Sequence, residues 1–180
     1  IIDSNEPDGV KSPEFLNTIE SIRQWLEADQ NDDLNIGRTD AFSDFIKRMH
    51  MAMNNDDPDF FKIPDTRMDI MDYLEIYSGD DDDSDGRIDD FEPFVDAEFQ
   101  QNNILVRLTR KADDSLGTMK IKRILNKIEQ HLTASLPEGY TFAITGYPAI
   151  EVQLAHYVVT GQLTGLLLSL GIVAFVIILL

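Results

Sequence analysis

One segment of the 180-residue sequence carries carboxylates at a spacing that could bind a metal ion. Residues 81–92 match the twelve-residue calcium loop of EF-hand type, which needs oxygen ligands at the first, third, fifth, ninth and twelfth positions and a glycine at the sixth. The residues at these positions are Asp81, Asp83, Asp85, Asp89, Glu92 and Gly86, with Ile88 at the usual apolar eighth position. Calcium binding would require these side chains to converge.

A solvated acidic tract is the alternative interpretation of the same residues. Ten carboxylates lie among residues 78–98, so a short ligand pattern can arise by chance. Pro93 and the strand-like residues 94–99 follow the loop, where an EF-hand would place its exit helix. We favour the solvated tract and therefore predict no metal site and no cofactor.

Other residue types that support catalysis or metal binding are scattered. The three histidines lack cysteine or acidic partners at ligand spacing, which favours surface or helix-face positions. They are His50, His131 and His156. No nucleophile elbow, zinc-protease motif or glycine-rich phosphate loop occurs in the sequence. We therefore predict no catalytic residues and no enzymatic activity.

The last thirty residues predict a transmembrane helix. Residues 152–180 carry no charge, and the only polar residues among the eighteen from Leu163 to Leu180 are Thr164 and Ser169. About twenty apolar residues cross the hydrocarbon core of a bilayer. A buried helix of a large soluble domain is the alternative, but the length of the uncharged run favours the membrane. We expect one continuous helix over 152–180, with an amphipathic lead-in near Ala149 and lipid contact after about Leu163.

The charge distribution limits the partners and predicts the orientation. The formal net charge of −18 disfavours nucleic acid and anionic membrane surfaces, since both would repel the chain. Lys127 is the last basic residue, so 35 residues before the apolar run carry no Lys or Arg. By the positive-inside rule, the domain before the helix lies on the outer side of the membrane. Because the apolar run continues to Leu180 and Ile1 begins a strand-like segment, we expect a piece of a longer polypeptide.

The first half of the chain predicts helices with one weak strand. Ser12 and Pro13 are typical of a helix start, and that helix fades at residues 28–31. A weak strand is predicted at 34–39, followed by helices at 41–53 and 64–77. The candidates for burial on the last of these helices are Met68, Met71, Leu74 and Ile76.

The second half predicts a strand, a helix and a second strand. Residues 103–110 alternate, with Ile104, Val106 and Leu108 on one face. Residues 117–136 predict an amphipathic helix, and residues 140–146 alternate again. The residues expected to pack on the sheet are Ile121, Ile124, Ile128 and Leu132. The two strands should be parallel and not directly adjacent.

These elements predict an α+β domain over residues 1–148. The first segment (residues 1–2, a helix, residues 34–39) is a weaker copy of the second strand-helix-strand unit. Two such units make a ferredoxin-like, split β-α-β sandwich. Here the halves are separated by a helical insertion at about 41–77 and by the acidic loop 78–92. Residues 149–180 form the lead-in and the truncated transmembrane helix.

Several segments resemble exporters of the RND superfamily, in the MMPL-like branch. They are residues 8–14 (DGVKSPE), 63–67 (IPDTR), 94–99 (FVDAEF), 140–148 (YTFAITGYP) and 161–163 (GQL). The resemblance covers nearly the whole chain in order. It implies the first extracytoplasmic porter loop and the start of the second transmembrane helix, in a protein of the inner (cell) membrane with this domain on the periplasmic side.

The resemblance also implies a function and partners. Such proteins resemble proton-driven exporters of hydrophobic or lipid-like molecules. The implied partners are the lipid bilayer, the remaining transmembrane helices, a second porter domain, a hydrophobic small molecule or lipid, and a possible homo-oligomer. The proton-carrying residues of that family belong to a later helix, so no coupling residue is assigned here. The alternative is a membrane-tethered sensor or interaction domain, with or without calcium, that transports nothing.

Overall fold

A computed structural model describes residues 1–77, 88–109 and 117–179. In this part of the chain, helices dominate and the strands are short. The elements are β1 (Ile2–Asp3), α1 (Pro13–Glu27), β2 (Ile36–Asp40), α2 (Phe42–Met53), α3 (Arg67–Ile76), β3 (Gln101–Asn102), β4 (Leu105–Leu108), α4 (Thr118–Ser135), β5 (Thr141–Phe142) and α5 (Tyr147–Leu179). The fold is therefore mixed α and β, as the sequence predicts, with an apolar helix at its C-terminal end.

The strands form two small antiparallel sheets. β1 lies between β3 and β5, with Ile2 opposite both Asn102 and Phe142. Both neighbours are antiparallel to β1, so β3 and β5 run parallel to each other. The second sheet pairs β2 with β4 and places Thr39 opposite Val106.

The predicted strands 103–110 and 140–146 are shorter than expected and lie in different sheets. Residues 93 and 94 contact the chain between β3 and β4. The backbone N–H of Asn103 donates to the Phe94 carbonyl at 2.7 Å, and its side chain donates to the Pro93 carbonyl at 2.9 Å. These bonds pair the end of β3 with residues 94 and 95, where Val95 and Asn102 form an antiparallel bridge. Val106, predicted on a buried face, is 38% exposed because its sheet has only two strands.

The core forms where α1 packs on the sheets and on α2. Ser12 caps α1 by accepting a hydrogen bond from the Phe15 N–H at 3.3 Å, and Pro13 is the first helical residue, as predicted. The buried stripe of α1 consists of Phe15, Leu16, Ile19, Ile22 and Leu26. Three of the four predicted residues of α4 are buried (Ile121, Ile124 and Leu132), while Ile128 is half-buried against the core.

The predicted burial on α3 is wrong for three of its four residues. Met68, Met71 and Ile76 are 72%, 49% and 62% exposed, whereas Ile70 is fully buried. The helix begins at Arg67 because the Thr66 side chain accepts a hydrogen bond from the Asp69 N–H. Ile70 and the half-buried Leu74 are one turn apart and face the core, so Met68 and Ile76 face outward and Met71 lies on the flank of the helix.

The same substitution at two positions of α3 tests which face of the helix is buried. Ile70→Val should lower the free energy of unfolding by about 1 kcal/mol, because it removes a buried methyl group and leaves a small cavity. Ile76→Val should stay within about 0.5 kcal/mol of the parent, since Ile76 is exposed. Urea unfolding followed by the fluorescence of Trp25, the single tryptophan, measures both. Equal effects would contradict the orientation of α3.

α5 is one continuous helix from Tyr147 to Leu179. Its 33 residues give a length of about 50 Å, which exceeds the roughly 30 Å hydrocarbon core of a bilayer. The predicted continuous helix is confirmed over the residues described, although it begins at Tyr147, before the expected lead-in at Ala149. Among the helices described, one is long and apolar enough to cross a membrane, and its apolar side chains are exposed.

Candidate ligand cleft

A cleft of about 470 Å³ opens between α3, Lys11 and the segment 88–99. Its volume lies in the range of roughly 300–1,000 Å³ that is typical of small-molecule sites. The apolar lining consists of Met71, Leu74, Ile88, Phe91, Val95, Ala97 and Phe99. The charged lining consists of Lys11, Asp72, Glu75 and Asp96. The cleft therefore combines an apolar interior with several charged groups.

Aromatic contacts hold the two walls of the cleft together. Tyr77, at the C-terminal end of α3, stacks on Phe91 with ring centroids 5.1 Å apart. Its hydroxyl donates to the Asp90 carboxylate at 2.6 Å. Phe91 in turn meets Phe42 and Phe45 edge-on, at 5.2 and 5.5 Å. These contacts anchor the wall at Phe91 to both α2 and α3.

Phe99 lines the cleft in a strained backbone conformation. Its φ is +50°, in the left-handed region that bulky residues rarely adopt, at a cost of about 1–3 kcal/mol. Several hydrogen bonds hold the backbone around Phe99 in this conformation. The Val10 N–H donates to the Phe99 carbonyl at 2.9 Å, and Asp96 Oδ1 accepts from the N–H groups of Gln100 and Gln101 at 2.8 and 2.9 Å. Strain maintained by several bonds is characteristic of functional positions.

The charges of the cleft are predominantly negative. The Lys11 ammonium lies 2.6 Å from the Asp8 carboxylate and 4.2 Å from the centroid of the Phe99 ring. Asp72 and Glu75 are exposed, and neither side chain makes a hydrogen bond or an ion pair within the residues described. Burial raises the pKa of the neighbouring Tyr73, and the negative charges of Asp69 and Asp72 raise it further.

A cluster of charged and polar side chains around Arg23, the Arg23 network, joins α1, β2 and α2. Arg23 Nη1 lies 2.7 Å from Glu20 Oε1 and 2.9 Å from Asp44 Oδ1, and Arg23 Nη2 donates to the Thr39 carbonyl at 2.9 Å. Lys47 Nζ lies 2.7 Å from Glu20 Oε2. Burial alone would raise the pKa of Asp44, but the hydrogen bond and charge of Arg23 and the charge of Lys47 lower it.

This Arg23 network holds the fold together and shows no open ligand position. Arg23 is 9% exposed and also donates to the side chains of Thr39 and Ser43. The network was not predicted, although the i, i+3 pairs Glu20–Arg23 and Asp44–Lys47 are visible in the sequence. What the sequence does not indicate is that the two pairs face each other.

The histidines occupy three different environments. His50, expected on the surface or on a helix face, is buried on the inner face of α2, with Nδ1 2.9 Å from the Lys62 carbonyl oxygen. His131 stacks on Trp25 with ring centroids 3.7 Å apart and an interplanar angle of 2°. His156 is exposed on α5. They do not converge on a common site.

The stacked pair makes protonation of His131 directly observable. We expect protonated His131 to quench the fluorescence of Trp25. Burial lowers the pKa of His131, so the midpoint of this quenching should lie below about pH 6.5. The neutral form is favoured in the folded state, so this stabilising contribution is present above about pH 6.5 and lost as the pH falls. His131→Gln should abolish the transition, and His156→Gln should leave it unchanged. A midpoint above that of a free histidine would contradict the prediction.

The predicted acidic loop lies largely outside the described residues. Positions 81–87 are not described, so Asp81, Asp83 and Asp85, the candidate ligands of the alternative calcium interpretation, lie outside the described residues. Asp89 and Glu92 lie in consecutive turns instead of an exit helix. Within the described ranges, no three His, Asp or Glu side chains are grouped so that they could hold a metal ion.

Comparisons with protein-family models, with curated proteins and with solved structures found no match to this chain. The interpretation of the cleft therefore rests on its own residues: an apolar interior, a strained aromatic wall and an acidic rim, on a domain that continues into an apolar helix.

Proposed function

We propose that this chain is the extracytoplasmic, substrate-handling domain of an RND-superfamily transporter of the MMPL-like branch. The transporter would be a proton-driven exporter of hydrophobic or lipid-like molecules. The observation that carries the proposal is a cleft of about 470 Å³, lined by seven apolar and four charged residues, on a domain whose chain continues into an exposed apolar helix. Hydrophobic cargo outside a membrane needs such a concave apolar surface.

The strand pairing supports the ferredoxin-like porter fold. Across the two sheets the pairing order is β5-β1-β3 and β4-β2, and only two residues separate β3 from β4 along the chain. Treated as one interrupted strand, β3 and β4 complete the order of a split β-α-β sandwich, with α1 and α4 as the two crossover helices. The insertion then comprises α2, α3 and the segment up to residue 100.

The proposed location is the inner membrane, with the domain on the periplasmic side. The 35 residues before the apolar run lack Lys and Arg, which supports an outer position for the domain. α5 contacts α4, so a displacement of the membrane helix can reach the domain directly. The proposed partners are the bilayer, the remaining transmembrane helices, a second porter domain, and further copies of the same protein.

Transport by the full-length membrane protein tests the proposal. The chain has no cysteine, so Met71→Cys places one reactive thiol in the cleft, provided that the remainder of the protein is cysteine-free. A bulky maleimide on this thiol should abolish the proton-gradient-driven movement of a lipophilic fluorophore in proteoliposomes. The same label on Met68→Cys, on the outward face of α3, should not. Absence of gradient-dependent movement in the unlabelled protein would favour the membrane-tethered sensor instead.

A further inference from the structure

We propose that a slot beside β4 receives an extended segment that is joined to the amino nitrogen of Ile1 and continues the direction of β1. The slot lies between β4 and residues 143–145, which follow β5 along the chain. The segment pairs with both sides of the slot and joins the two small sheets into one. This inference goes beyond the proposed function, because it assigns an interaction surface and does not depend on transport.

The slot is in line with β1. β1 is the single strand between β3 and β5, so these two are separated by the width of one strand. Residues 103–108 continue from β3 and residues 143–145 continue from β5, both beyond the end of β1. At the entrance, the Ile1 amino group donates to the Ala143 carbonyl at 2.9 Å, and the Ala143 N–H donates to the Ile1 carbonyl at 3.0 Å. A residue attached to the Ile1 nitrogen therefore begins inside the slot.

The backbone groups that face the slot from the side of β4 belong to Ile104 and Val106. Neighbouring residues of a strand turn their N–H and C=O groups to opposite sides. The Ser4 N–H donates to the Gln100 carbonyl at 3.0 Å, so even-numbered residues of this stretch face the side of β1. From the other end, the Thr109 N–H donates to the Asn35 carbonyl at 2.7 Å, so odd-numbered residues face β2. The two counts agree, and within the described residues no backbone group pairs with residues 104 and 106 on the slot side.

The side chains of β4 are exposed where a neighbouring strand would cover them. Val106 lies between Ile104 and Leu108, which both pack against the core, yet Val106 is 38% exposed. Leu105, on the other face of the strand, is 44% exposed. Unpaired N–H and C=O groups on an exposed apolar strand form a template for pairing with another strand. The edge of β4 that faces the slot therefore has both the backbone groups and the apolar surface that an added strand needs.

The opposite edge of the same sheet is closed. On the outer side of β2, the Thr39 N–H donates to Glu27 Oε1 at 2.8 Å. A side chain that covers an edge in this way prevents pairing with another strand. The slot beside β4 is bounded by residues 143–145, so one strand fits into it. The sheet edge of a second copy, which brings its own neighbouring strand, does not fit. A single segment joined to Ile1 is already held at the entrance, so it avoids the cost of association that a separate chain pays.

The strand register predicts the residue types of the segment. Ile2 is 2% exposed and faces the core, so alternation places the first and third residues before Ile1 on the same face. These two residues lie opposite Ile104 and Val106, and we expect them to be apolar. The third residue also lies opposite Gly146, directly before the first residue of α5. The segment therefore enters the domain at the end where α5 begins.

Two extensions of equal length test the proposal. Thr-Val-Thr-Val, placed directly before Ile1 of the 180-residue chain, supplies apolar side chains and N–H donors at the first and third positions. Thr-Pro-Thr-Pro keeps the length, but proline has no N–H to donate. Both chains and the unextended chain are reconstituted in zwitterionic nanodiscs, and amide hydrogen exchange is measured by NMR. We expect Thr-Val-Thr-Val to slow exchange at Ile104 and Val106 by at least about tenfold, and Thr-Pro-Thr-Pro to leave it unchanged.

The same chains contain an internal control. The N–H groups of Leu105 and Arg107 face β2, so their exchange should change much less than that of Ile104 and Val106. Equal slowing at all four amides would indicate a general stabilisation of the domain and would contradict pairing in the slot. Unchanged exchange at Ile104 and Val106 in the Thr-Val-Thr-Val chain would overturn the proposal outright.

A free peptide tests whether the segment must be joined to Ile1. Acetylated Thr-Val-Thr-Val amide, added in large excess to the unextended chain, should protect neither Ile104 nor Val106, because it pays the cost of association. Protection by the free peptide equal to that by the joined extension would overturn the assignment and make the slot a docking site for a separate chain. Each of these results is independent of the transport assay, so the slot and the proposed function can fail separately.

Discussion

Replacing Arg23 with alanine should lower the free energy of unfolding by about 3–5 kcal/mol. The substitution removes one of the two cations that lie between Glu20 and Asp44, so that Lys47 alone faces two carboxylates in a partly buried site. It also removes the donors to the Thr39 carbonyl and to the Ser43 hydroxyl. Buried charges and polar groups without partners are among the costliest defects in a folded protein. Denaturant unfolding of the full chain measures the effect.

Two comparisons isolate the cause. Arg48→Ala removes the same residue type from an exposed position on α2 and should stay within about 0.5 kcal/mol of the parent. The quadruple variant Arg23→Met, Glu20→Gln, Asp44→Asn, Lys47→Met should recover much of the loss, because it neutralises all four charges of the network and leaves none unpaired. If Arg23→Ala behaved like Arg48→Ala, the network would not be formed in solution.

The network also predicts a direction for the pH dependence. The pKa of Asp44 is lowered in the folded state, through the hydrogen bond and charge of Arg23 that outweigh the effect of burial. Its stabilising contribution is therefore present above the ordinary aspartate pKa of about 3.9, and it is lost as the pH falls below that value. In the Arg23→Ala variant this acid sensitivity should be reduced.

The elements that sequence predicts best are those with strong local signals. α1 has a capping serine, a proline at its first position and an apolar stripe, and it forms where expected. α5 follows from the absence of charge after Glu151. The strands were predicted less well because residues 101–108 divide between two sheets, and Asn103 between them donates its N–H to the Phe94 carbonyl. That hydrogen bond depends on how residues 93 and 94 fold back, which alternation along residues 103–110 does not indicate.

The orientation of α3 shows how a local pattern can mislead. Met68, Met71 and Ile76 are apolar residues at helical spacing, which normally indicates a buried face. The buried side is instead set by Ile70 and Leu74, which meet the core from the opposite side of the helix. A ten-residue helix is too short for its periodicity to distinguish the two faces, and the tertiary contacts decide between them.

The cleft was predictable only in its general chemistry. Its residues come from three separate segments (residue 11, residues 71–75 and residues 88–99), so no local motif marks it. The resemblance implies a hydrophobic cargo, and a hydrophobic cargo needs an apolar surface somewhere on the domain. The sequence does not indicate that Phe99 adopts a positive φ or that Lys11 is paired with Asp8, because both depend on contacts between distant segments.

Two aspartates in α5 should prevent stable membrane integration of this chain. Leu167 and Val173 are apolar and more than half exposed on the helix surface. Each aspartate near the centre of a transmembrane helix costs about 2.5–3.5 kcal/mol, so Leu167→Asp with Val173→Asp costs about 5–7 kcal/mol in total. We expect the 180-residue chain to remain with membranes after alkaline carbonate extraction and the double variant to be released.

A third aspartate position provides the control for this experiment. Gln153→Asp places the same side chain in the first part of α5, before the apolar run that begins near Leu163, and should leave the chain in the membrane fraction. The comparison separates charge at the bilayer centre from charge anywhere on the helix, because the cost of a charge falls towards the membrane interface. If the double variant resisted extraction as well as the parent chain does, residues 167 and 173 would not lie in the hydrocarbon core. α5 would then be an exposed helix held at the membrane by other contacts.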